Sequence, residues 1–143
     1  MQLGLPGSAH AAGIAAPPMF VFDRSIEGTA DAAYAAAEAG ARVVSFHHDV
    51  GALWFDVIEP AVRHAPVAIA GISYGGAFFA LDHLARDHRL ICTARAAVAP
   101  GRDIGPAATA LLRLSSSRRS ATDNQRAEYG DAPVLWLLQP IQG

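Results

Sequence analysis

The chain has 143 residues, enough for one compact domain with a sizeable core. It is 52% hydrophobic and 17% charged, with net charge −2, and all eleven basic residues are Arg. That balance fits a globular protein and excludes a basic nucleic-acid footprint. Its single cysteine, Cys92, excludes an internal disulfide framework and a Cys-based zinc cluster, and the lack of Lys excludes a Walker A loop or a Schiff-base lysine. No apolar run reaches the ~18–20 residues of a membrane span.

Residues 1–16 are small and apolar, with Gly4, Pro6, Gly7 and Gly13. They lack the positive start and sustained apolar run of a secretory signal, and read as a flexible leader to a cytoplasmic protein. A single domain is expected over 17–143. Met19 to Phe22 is a short apolar run that ends at Asp23 and predicts a buried strand. Thr29 is placed to cap an Ala-rich helix from Ala30 to Ala39, closed by Gly40. Arg42 to Phe46 predicts a second strand, ending at His47-His48-Asp49.

Leu53, Trp54, Val57, Ile58 and Val62 recur at helical spacing between Gly51 and His64, and Pro60 predicts a kink or restart. Val67 to Ile72 predicts a third strand. Gly75-Gly76 opens a helix, and Leu90 to Ala94 a fourth strand. A short helix follows from Pro106 to Leu114, then a polar loop from Ser115 to Asp131 that holds Arg118-Arg119. Val134 to Leu138 predicts a fifth strand. The alternation implies an α/β domain: three layers, one mostly parallel sheet of about five strands, helices on both faces.

Gly71-Ile72-Ser73-Tyr74-Gly75-Gly76, between an apolar strand and a helix, is a Gly-x-Ser-x-Gly sequence in the setting of a nucleophile elbow. There a tight turn lifts the serine hydroxyl above the sheet, flanking glycines give room, and the next N–H, of Tyr74, faces an oxyanion. On these residues the chain resembles the α/β-hydrolase superfamily, esterases and thioesterases included, loosely from Met19 to Pro100. Val134 to Gly143 is similar to a later family strand. The resemblance implies an ester or thioester hydrolase with Ser73 as nucleophile.

The chain departs from the family: it is shorter than the usual member, and the family's downstream acid and histidine are lacking. No histidine follows His88, whereas the family order is Ser, Asp or Glu, His. Asp23-Arg24-Ser25 stands where a His-Gly oxyanion segment would follow the first strand. With strand order 2-1-3-4-5, other residues converge on Ser73: Asp23 from strand one, and His47 and His48 two strands away, roughly 10 Å off. His47 or His48 would then be the base, oriented by Asp23 or Asp49.

Each residue also has a structural alternative. Gly71, Gly75 and Gly76 can serve a tight turn, with Ser73 or Tyr74 capping the helix. His47-His48-Asp49 reads as polar residues at a strand end rather than a metal site, and Cys92 as core. His83, His88, Asp82 and Asp87 read as a solvated helix face. An exposed Trp54-Phe55 or Phe78-Phe79 pair would suit a homo-oligomer contact. The alternative to hydrolysis is a non-catalytic α/β module that binds a small ligand or partner protein at the strand ends, or a component of an oligomeric assembly. The expected partner is a small acyl substrate or ligand. Neither nucleic acid nor membrane is expected, and no cofactor or metal is implied.

Overall fold

In the computed structural model, residues 17–98, 104–115 and 132–141 are described. Five strands form one sheet: β1 (Met19–Asp23), β2 (Arg42–Phe46), β3 (Ile69–Tyr74), β4 (Leu90–Ala97) and β5 (Pro133–Pro140). The helices are α1 (Thr29–Glu38), α2 (50–64, between β2 and β3), α3 (Gly75–Arg86) and α4 (Ile104–Ser115). The expected leader over 1–16 and most of the expected loop over 115–131, Arg118 and Arg119 included, lie outside the described residues.

The strand order is β2-β1-β3-β5-β4. β1 pairs in parallel with β2 and β3, while β5 pairs antiparallel with both β3 and β4. The expected 2-1-3 core is present. The expected continuation is corrected: β5 enters between β3 and β4 and runs the other way, so the sheet is mixed. An apolar run buried on both faces carries no mark of direction, which is why β5 was legible as a strand but not in its sense.

Alternation along the strands makes two hydrophobic clusters. Met19, Val21, Ile69, Trp136 and Leu138 join Trp54 and Ile58 of α2 and Phe78 and Leu81 of α3. Phe20, Ala70, Ile72, Leu135 and Leu137 join Ala32 and Ala36 of α1 and Ala108, Leu111 and Leu112 of α4. Ala32 and Ala36 are the alanines that α1 buries fully.

Helix ends follow local chemistry. Gly28, at φ 86°, is the N-cap of α1, so Thr29 is the first helical residue and its Oγ1 donates to the Ile26 carbonyl. This corrects the expected Thr29 cap. Gly40, at φ 92°, takes the left-handed conformation after the helix. Helix α2 starts as Val50–Ala52, widens to a π-helix over Leu53–Ile58 and ends as Glu59–His64. Pro60 has no N–H to continue the α-helical ladder, and the change of hydrogen-bond register just before it is the expected restart.

The solvated face expected on α3 is corrected in part: His83 and Asp87 are exposed, Asp82 and His88 are not. Asp82 is buried and paired with Arg86 at 3.0 Å, and His88 sits against Trp54 with its Nε2 3.3 Å from Glu59. The two aromatic pairs split: Trp54 and Phe78 are core, Phe55 and Phe79 exposed. Cys92 is half-buried against the first cluster, where burial, the largest influence, and the nearby Asp82 push its thiol pKa up.

At β3 a glycine and a tryptophan ring pack in close contact. Gly71 lies opposite Trp136, and a Cβ at Gly71 would stand 2.6 Å from the indole Cη2. Trp136 is fully buried, so the ring cannot swing away. Gly71→Ala is therefore expected to destabilise the fold by about 1–3 kcal/mol, the usual cost of overpacking. Urea unfolding of the two proteins measures the difference.

Candidate functional site

Asp23, His47, His48 and Tyr74 stand at the carboxyl ends of β1, β2 and β3. Asp23 closes β1 beside Phe46, the last residue of β2. The Arg24 N–H donates to the Phe46 carbonyl at 2.9 Å and ties the two strand ends together. The chain then turns back on Asp23: Ser25 donates to its Oδ1 from both N–H (2.9 Å) and Oγ (2.6 Å), an Asx-turn arrangement. Asp23 is 1% exposed.

Beyond Phe46, β2 leaves the sheet in a tight turn. The Asp49 N–H donates to the His47 carbonyl and the Val50 N–H to the His48 carbonyl. His48 has φ 60°, a left-handed conformation uncommon outside glycine. Strain of this kind costs about 1–3 kcal/mol and persists only where the surroundings hold it. The turn brings both imidazoles to Asp23. His47 Nδ1 lies 4.0 Å from Oδ1, and His48 Nδ1 3.5 Å from Oδ2. The side chains are 50% and 61% exposed. The His48 ring is 4.2 Å from that of His47 and stacks at 6.3 Å on Tyr74, the N-cap residue of α3.

Burial, the largest single influence, pushes the Asp23 pKa up. The two Ser25 hydrogen bonds and the charges of His48 and His47 together outweigh it and hold the carboxyl below its ordinary value. Asp23 is thus a buried carboxylate that faces the Nδ1 atoms of two exposed imidazoles. Asp49, the other expected orienter, instead caps α2, its Oδ1 accepting from the Ala52 N–H.

The expected nucleophile is Ser73. It is a residue of β3, without positive φ and fully buried. Its Oγ accepts a 2.9 Å hydrogen bond from Trp136 Nε1 and donates to the Tyr74 carbonyl at 3.1 Å. Among the described residues no hydrogen bond joins Ser73 to Asp23, His47 or His48. A nucleophile elbow needs an exposed hydroxyl beside a base. Tyr74 presents its ring to His48, and its side chain makes no capping hydrogen bond to α3. Gly75 is buried as the first residue of α3, and a Cβ at Gly76 would meet nothing within 4 Å.

Two contributors escaped the sequence reading. Ser25 belongs to a common polar turn, and its bond to Asp23 has only the two-residue spacing as a signal. Trp136 lies in an apolar run, and its pairing with Gly71 depends on the unforeseen antiparallel register. Among the described residues no group of three or more His, Cys, Asp or Glu is arranged to hold a metal ion, and no helix is long and apolar enough to cross a membrane. A groove of about 530 Å³ between α1 and α4, lined by Asp31, Thr109 and Arg113 among others, includes none of the strand-end residues.

No family model matches this chain, and no curated protein and no solved structure matches it.

The low Asp23 pKa has a signed consequence. A carboxylate with a depressed folded-state pKa stabilises the fold above its unfolded value, near 3.9, and that contribution is lost as pH falls through the folded value. Asp23→Asn is expected to be less stable than the parent at pH 7, with the gap narrowing as pH drops below about 4. Urea midpoints of both proteins across pH 3–7 test this.

Proposed function

We propose that the chain is a non-catalytic-serine α/β module that binds a small ligand at the carboxyl ends of β1, β2 and β3. Its contacting groups are the imidazoles of His47 and His48 and the ring of Tyr74, above the carboxylate of Asp23. One observation carries the reading: a buried carboxylate organises two half-exposed imidazoles where three strands end, the usual position of ligand sites in open α/β sheets. In this reading the domain is three-layered, and four strands run in one direction with β5 opposed. Gly71 and Ser73 then serve Trp136: the glycine makes room for the ring and the serine accepts its N–H.

The Gly-x-Ser-x-Gly sequence between strand and helix favours a second reading, serine hydrolysis of an ester or thioester through Ser73. It requires the Ser73 hydroxyl to leave Trp136 and reach solvent and a base.

A fluorophosphonate reagent separates the two. The proposal predicts a folded chain with no adduct at Ser73 by mass spectrometry, and His47 and His48 ring signals that move in NMR titrations with a fragment panel while the exposed His83 signals stay still. Stoichiometric labelling of Ser73, absent in Ser73→Ala, would overturn it in favour of the hydrolase.

A further inference from the structure

We infer that His48 and Asp23 form a general-base dyad that activates water against a carboxylic ester bound at the strand ends, with no covalent acyl-enzyme. The inference rests on the ligand site proposed above and gives it a substrate class. Three features single out His48 from the other imidazoles. Its Nδ1 is the one nearer to Asp23, at 3.5 Å, so Nε2, on the opposite side of the ring, is turned from the carboxylate. Its ring is flanked by His47 and stacked on Tyr74, which limits its rotation. Its backbone is held at φ 60°, a strained conformation of the kind that gathers at functional sites.

A buried carboxylate behind Nδ1 holds an imidazole in the tautomer with a free Nε2 and stabilises the imidazolium once a proton arrives. Asp23 is a positioning residue in this scheme, since it is buried beneath the ring. With Ser73 engaged by Trp136, water is the nucleophile. A water O–H proton passes to His48 Nε2 as the water oxygen bonds to the acyl carbon. The tetrahedral adduct then expels the alcohol: the C–O bond to the leaving group breaks, and Nε2 returns its proton to the departing oxygen. The balance is ester plus water giving acid plus alcohol, with His48 restored.

The test is hydrolysis of p-nitrophenyl acetate by the full chain. His48→Asn keeps a side chain that tolerates the left-handed backbone and is expected to lower the rate about 10²-fold, the low end of general-base contributions. Asp23→Asn is expected to lower kcat with KM little changed, as befits a residue that acts only through His48. His83→Gln, an exposed imidazole elsewhere on α3, should leave the rate unchanged. No acetyl adduct should accumulate in the mass spectrum. Equal rates for the parent and a folded His48→Asn, or an acetyl group on Ser73, would overturn the inference. If hydrolysis is absent while the His47 and His48 signals still respond to the fragment panel, the dyad fails and the ligand site stands; if the signals are also silent, the ligand site fails too.

Discussion

The Trp136 indole needs an empty place for its ring and an acceptor for its N–H, and β3 supplies both in alternate residues. Gly71 leaves the space and Ser73 Oγ takes the hydrogen bond. Both face the same side of the sheet because strand residues two apart share a face. The demand is strong: burying an indole N–H without a partner carries a desolvation penalty of about 1–3 kcal/mol, and truncating a buried Trp costs about 3–5 kcal/mol. The pairing also fixes the register of β5 between β3 and β4, so one side-chain fit secures the middle of the sheet.

The same fit determines what the strand ends can do. It engages the Ser73 hydroxyl with Trp136, and among the described residues no hydrogen bond joins that hydroxyl to the cluster that the ends of β1 and β2 create. There the opposite condition holds. Asp23 is sealed by the Ser25 turn, while the imidazoles it faces are open to solvent. A buried charge is tolerable only when hydrogen-bonded or paired, and Asp23 accepts two hydrogen bonds from Ser25. The left-handed His48 is the local cost of bringing a second imidazole to that carboxylate.

Much of this was legible in the residues. The apolar runs at Met19 and Arg42 locate β1 and β2, and their ends place Asp23 next to His47-His48 once the 2-1-3 order is assumed. Strand–helix alternation points to a parallel sheet, and the order is the one common to doubly wound folds. What escaped depends on partners far apart in sequence. Gly71 and Ser73 have the spacing of an elbow, but the same spacing suits a strand that holds a tryptophan ring, and only the pairing with Trp136 tells the two apart. Asp82 and His88 looked like a solvated face because helical spacing does not reveal that Arg86 and Glu59 would satisfy them.

The account turns on whether Ser73 is held by Trp136, and the indole N–H reports that directly. Amide-type exchange of a buried, bonded N–H requires local or global opening. Nitrogen-15 NMR should show the Trp136 Nε1–H strongly protected against exchange with deuterium, and shifted and less protected in Ser73→Ala, while the parent's Trp54 signal serves as reference. A Trp136 Nε1–H that exchanges at the rate of a free indole, or that ignores the loss of the serine hydroxyl, would contradict the account and release Ser73 for chemistry.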